Sequence, residues 1–341
     1  MRLFALGMGL SVCLAAHAND DCSPVDLRAD LGAPRAQDGT SWCYAHSAAD
    51  LLSQAMHRRV SSIDLAATYL MGNEALLHKI KHPAMQEYLK QHPDFDSRLK
   101  ESRKEEDAYT PDKILSAGGI VDTGGRDDEA IVLSNLKGLC KAELLPAGKK
   151  NVEKYLRAIR DDLVDDDEVE PIVEGPIGAV ENDFARIMAH AFQKWVDERC
   201  GERLKPKAPL LPHEVSVAES LEEYIALVKT GLLNGDEARV RLVKELDRVL
   251  DSGKVAAIAY ESFDLYPRTE PVRTERFHGD HSSVVAARKK IEGECHYFVR
   301  NHFGATCGYR REYEENCEKG AGGVWVKPEA LKHLYSVISV R

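Results

Sequence analysis

Beyond its first residues, the chain lacks any apolar run long enough to cross a bilayer, which excludes a body of membrane-spanning helices. It also lacks a positive excess. Lys and Arg number 46 against 56 Asp and Glu, a formal charge of −10, which argues against nucleic acid or an anionic membrane surface as partner. No glycine loop is built to cradle phosphate, no dinucleotide fingerprint is present, and no serine sits in a Gly-x-Ser-x-Gly elbow. The nearest approach to a metal motif is His278-x-x-His281 with Asp280, and no matching Cys or His pair completes a tetrahedron around it. The sequence therefore predicts no cofactor and no metal. Internal repeats are absent too.

What remains is a chain of 341 residues, 43% hydrophobic and 30% charged, a composition of soluble globular proteins. Arg2 precedes an apolar stretch from Leu3 to Ala16, and Ala16-His17-Ala18 has the small-x-small pattern of a cleavage site. Residues 1–18 thus read as a signal peptide cut after Ala18, leaving 19–341 as one secreted or periplasmic domain. Val12 disfavours a lipid anchor at Cys13. Past Cys13 the chain keeps seven cysteines: Cys22, Cys43, Cys140, Cys200, Cys295, Cys307 and Cys317. In an oxidising compartment an odd count implies three disulfides and one free thiol, with Cys43 the expected odd one out. Cys307 and Cys317 flank a short polar loop and form the best single pairing.

The periodicity changes along the chain. Helices are expected from Cys43 to about His57, from Ile63 to Met71 behind a Ser61-Ser62 cap, from Asp127 to Leu136, from Asn182 to Cys200, and over Leu221–Leu232 and Glu237–Leu250. After Gly253, strands are expected at Val255–Tyr260, His281–Ala287, His296–Arg300 and Gly323–Val326. Residues 73–110 carry alternating charge interrupted by prolines. Residues 146–212 include an acid-rich run, Asp161 to Glu174, and a Lys/Pro-rich end. Both read as insertions, the second as a possible cover for a cleft. The fold class is α+β, a helical N-terminal half packed on an antiparallel sheet or partial barrel.

Chemistry concentrates at three points. In Gln37-Asp38-Gly39-Thr40-Ser41-Trp42-Cys43-Tyr44-Ala45-His46 a cysteine opens a helix, where the macrodipole favours its thiolate. Gln37, six residues earlier (43 − 37 = 6), offers an amide donor beside that sulfur. His46, three residues on, lines a wall rather than reacting. Asp280-His281-Ser282-Ser283 places an imidazole at the entry of a strand. Asn301, twenty residues later (301 − 281 = 20), ends the next strand, so that its amide oxygen could accept the imidazole N–H and fix the tautomer.

This order and these blocks resemble the papain-like cysteine peptidases over residues 26–71, 118–145 and 253 to about 330. The resemblance implies Cys43 as nucleophile, His281 as base, Asn301 as its orienting amide and Gln37 as an oxyanion donor. Asn301-His302-Phe303-Gly304 looks like the family's Asn-Ser-Trp-Gly. Gly124 and Gly125 match a glycine pair whose backbone binds extended substrate. Leu139-Cys140 and Pro146 resemble the segment that follows that pair. Trp42 precedes the cysteine where the family has tryptophan after it, and Phe303 stands for the tryptophan over the His–Asn bond. Thr40 and Asp122 occupy the positions of the family's usual disulfide. The Cys-to-His gap of 238 (281 − 43 = 238) exceeds the ~130–150 of papain-like enzymes by the length of the insertions. The implied function is hydrolysis of peptide or protein substrates. A non-catalytic peptide-binding protein on the same fold and a Cys-His acyltransferase remain as alternatives, and the sequence leaves oligomeric state unspecified.

Overall fold

The structure, a computed structural model, describes residues 22–37, 42–71, 82–95, 97, 125–148, 151, 154–155, 191–266 and 280–341. The expected signal peptide, Gly124, His278, residues 101–124 and the acid-rich run lie outside the described residues.

After strand β1 (Val25–Asp26) and a single turn α1 (Arg28–Leu31) come α2 (Cys43–Met56) and α3 (Ser62–Met71). Ala45, Ala48, Ala49 and Leu52 put a buried apolar stripe on α2, and His57 closes it in a left-handed conformation, φ 47°. Ser61 caps α3 as expected, its Oγ accepting the Asp64 N–H at 3.3 Å. Further on are α4 (Pro83–Gln91) and α5 (Asp127–Lys137). Residues 191–200 are helical. Next come α6 (Leu221–Lys229) and α7 (Gly235–Asp251), each with a side-chain cap, Ser220 and Asn234.

The remaining strands are β2 (Pro212–Ser216), β3 (Ala256–Glu261), β4 (Asp280–Ile291), β5 (Glu294–Arg300), β6 (Cys317–Glu318), β7 (Gly323–Val326) and β8 (Ser336–Val340). All pair antiparallel in the order β2-β8-β3-β4-β5-β7-β6, with β1 joining β4 beyond the end of β3. The sheet is open, not a closed barrel.

Its two faces bury different residues. Ala257, Val284, Ala286, Ile338 and Val340 face a core shared with α2, α3 and α5. Ala256, Ile258, Tyr260, Val285 and Val337 face a second core with Leu242, Leu246 and Val249 of α7. The period of two sorts neighbours along each strand to opposite cores. Arg288 of β4 is buried and pairs with Asp247 and Asp251 of α7, each at 2.6 Å. The described end of the second insertion belongs to the helical layer. Phe192, Trp195 and Val196 are buried there, and Arg203 grips Asp64 of α3 through two 2.8 Å contacts.

Three disulfides join Cys22 to Cys295, Cys140 to Cys200 and Cys307 to Cys317, and Cys43 is the free cysteine. Such bridges belong to oxidising compartments. No helix among the described residues is long and apolar enough to cross a membrane. Peptide mapping without reduction is expected to recover these three pairs, with Cys43 carrying the alkylating label. Replacing Cys140 and Cys200 together by serine is expected to cost about 2–5 kcal/mol in denaturant unfolding.

Candidate active site

The register between β4 and β5 sets Val284 opposite Arg300. One step further, Asn301 lies diagonally across from His281 on the same face, close enough for side chains to meet. They do. His281 Nε2 is 2.9 Å from Asn301 Oδ1. With Nε2–H donating to the amide oxygen, the ring's free lone pair is on Nδ1.

Three aromatic rings enclose that imidazole. Tyr260 and Tyr266 approach edge-on with centroids 5.8 Å away, and Phe303 lies tilted at 5.8 Å. The sequence reading assigned a shielding place to Phe303 and missed both tyrosines. Tyr260 was legible only as an inward position of β3, and its register partner is His281 itself. Burial among these rings lowers the His281 pKa to about 4, against the Asn301 bond, which raises it.

Cys43 opens α2, as expected, and packs toward β4. Its thiol takes the backbone N–H bonds of Ser282, the residue after His281, and of Tyr44. Desolvation pushes it up to about 12, with Asp127 and Asp280 adding in the same sense, although the residue keeps some solvent exposure. The helix terminus alone predicts a thiolate. Burial and two nearby acids outweigh it, and at neutral pH thiol and imidazole both rest uncharged. Ser282 Oγ bonds Ser47 Oγ at 2.7 Å and Asp127 Oδ1 at 2.9 Å, so α2, α5 and β4 meet under the sulfur. Burial raises Asp127 well above the usual carboxylate range, against the Ser282 hydrogen bond, which lowers it.

Gln37 lies in a short antiparallel run beside the end of β5. Its N–H donates to His302 O at 2.6 Å, Ala36 bridges Phe303, and the Gly304 N–H reaches Arg35 O at 2.8 Å. The Gln37 side chain is buried next to the Asn301 segment. Gly125 is explained by packing, since a Cβ there would fall 2.7 Å from the Tyr44 ring.

Behind these groups lies an ion cluster that sequence reasoning missed. Asp50, two turns after Cys43, holds Arg35 Nε at 2.6 Å, with Arg300 Nε 3.5 Å and His302 Nε2 3.8 Å from its other oxygen. All four residues are buried. Arg300 also donates to Gly32 O and Ala33 O. His46 packs against His302, centroids 5.4 Å apart. Desolvation acts against the Asp50 charge, but Arg35, Arg300 and His302 prevail and hold it well below the ordinary range. His302 is fully buried.

No family profile and no curated protein matches the chain. Among solved structures, a Carica candamarcensis cysteine protease aligns over 93% of this chain and 97% of its own, at 11% identity and a TM-score of 0.41. PepW from Lactobacillus rhamnosis aligns over 92% and 81%, at 11% identity and 0.43. Procathepsin L 3 of Tenebrio molitor aligns over 93% and 69%, at 11% identity and 0.37.

Asp50→Ala strands two buried guanidinium groups and is expected to cost about 3–5 kcal/mol in urea unfolding. His281 keeps its proton off until about pH 4 in the folded chain, whereas the unfolded chain takes it up near 6.5. Stability is therefore whole above pH 6.5 and declines as pH falls toward 4, by about 3 kcal/mol for this group. His46 and His302, lowered by burial, act in the same direction. Asp127 acts oppositely, favouring the fold less as pH rises above 3.8. Asp127→Asn, which keeps an acceptor for Ser282, is expected to unfold at higher urea than the parent at pH 7, with the gain vanishing near pH 4.

Proposed function

We propose that the chain is an exported cysteine peptidase acting through Cys43, His281 and Asn301, with Gln37 as an oxyanion donor. The observation that carries this reading is the 2.9 Å bond from His281 Nε2 to Asn301 Oδ1, beside a free thiol that takes the N–H of Ser282. A nucleophile needs a base, and the base needs an orienter.

In this reading the Cys43 sulfur attacks a peptide carbonyl carbon while its proton passes to His281 Nδ1. The carbonyl oxygen becomes an oxyanion, held by the Gln37 amide and the Cys43 N–H. Collapse breaks the C–N bond, and the imidazolium gives its proton to the leaving amine. His281 then takes a proton from water, whose oxygen attacks the thioester, and the acid product leaves as the thiol is reprotonated. Both resting groups are neutral, so charge separates only as the bond forms. Asn301 steadies the imidazolium through its amide oxygen. Export follows from the N-terminal targeting pattern together with the three disulfides.

Turnover of a fluorogenic peptide library by the unmodified protein is the test. Cys43→Ala is expected to abolish hydrolysis, and Gln37→Ala to lower kcat/KM by about two to three decades. Hydrolysis undiminished in Cys43→Ala overturns the assignment. Transfer of the acyl group to an added amine in place of water would assign an acyltransferase, and a Cys43 inert to iodoacetamide would assign a binding protein.

A further inference from the structure

A cavity of about 530 Å3 is lined by Tyr266, whose ring also meets the His281 imidazole, and its wall includes Glu261, Asp264 and His333. These residues come from separate places: the last position of β3, the 3-10 turn Ser262–Asp264, and the loop before β8. His333 Nδ1 is 2.8 Å from Asp264 Oδ1 and 3.1 Å from Glu261 Oε2. One donor atom from each of the three lies within 4.8 Å of the others. The His333 N–H holds the second oxygen of Asp264 at 2.8 Å, fixing that carboxylate. Glu261 and Asp264 are only 5% and 6% exposed, while the His333 side chain opens to the cavity at 36%.

We propose that Glu261, Asp264 and His333 form a binding site for a divalent transition-metal cation of the zinc type, completed by water from the cavity. An imidazole nitrogen with two carboxylate oxygens is a donor set zinc accepts, and three protein ligands leave a fourth position open. Zinc bonds of ~2.0–2.2 Å set tetrahedral donors about 3.3 Å apart, so the two distances from His333 Nδ1 need to widen by only a few tenths of an ångström, while the two carboxylate oxygens already lie within 4.8 Å of each other. Two buried carboxylates also need positive charge beside them. A single shared imidazole proton supplies one unit, and a divalent ion replaces it with two. Arg310, which borders the same cavity, is turned to Glu312 at 2.7 Å and to the Phe263 carbonyl. Binding displaces the Nδ1 proton to solvent. It would brace the turn that carries Tyr266 against His281, and it does not depend on peptidase activity.

The test is calorimetric titration of zinc chloride into the chelator-treated full chain bearing Cys43→Ser, which removes the free thiol as a competing ligand. The expected result is one equivalent bound at micromolar Kd or tighter, weakened at least ~10-fold by His333→Ala and by Asp264→Asn. A parallel measurement mutates none of the three ligands: zinc is expected to protect His333 from diethylpyrocarbonate, read by peptide mass. Absence of stoichiometric binding, unchanged affinity in His333→Ala, or full modification of His333 in saturating zinc overturns the site.

Discussion

One buried carboxylate holds the candidate site in register. Asp50 sits on the helix that begins at Cys43. Its partners are Arg35, two residues before Gln37, and Arg300, one residue before Asn301. The stretch that holds Arg35 and Asp50 and a segment 250 positions further on (300 − 50 = 250) therefore converge on a single anion. A pair of this kind gives little net stability, because desolvating the ions offsets their attraction. It gives a stringent geometry instead: a shift of either one leaves a charge unpaired in the core. The short antiparallel contact between residues 35–37 and 302–304 follows from that constraint, and it places the Gln37 amide beside the end of β5.

Burial dominates the electrostatics in front of this cluster. The imidazole is enclosed by Tyr260, Tyr266 and Phe303, and the thiol lies near Asp127 and Asp280. Each influence favours the uncharged form of its group. The helix N-terminus at Cys43 acts the other way and is outweighed. Burial thus favours a low charge in front of the cluster, and the raised Asp127 beside Ser282 follows the same pattern.

Much of this was legible in the sequence, for identifiable reasons. The helix at Cys43 and the strand at Gly323–Val326 carry strong local patterns. The spacing from His281 to Asn301 fits two adjacent strands, and the structure sets them side by side. The strands β2 and β8 escaped notice because their residues are buried on both sides or follow a proline, so they show no clear alternation. The Asp50 cluster was invisible because its members are separated by up to 267 residues (302 − 35 = 267), and nothing in the spacing of an arginine and an aspartate signals a shared interior. The tyrosines around His281 look like ordinary core residues in a strand and a turn. The neutral state of the thiol depends on enclosure, which a local motif does not encode.

The bridge from Cys22 to Cys295 spans 273 positions. In a polypeptide threaded through a translocon from its N-terminus, Cys22 emerges early and its partner among the last. Cys43 follows Cys22 by 21 positions (43 − 22 = 21), long before any native mate is available. Oxidation in order of emergence would capture the Cys43 sulfur in the wrong cystine. The native pattern thus favours delayed oxidation or thiol exchange, either of which lets Cys22 wait for Cys295 and leaves Cys43 unpaired.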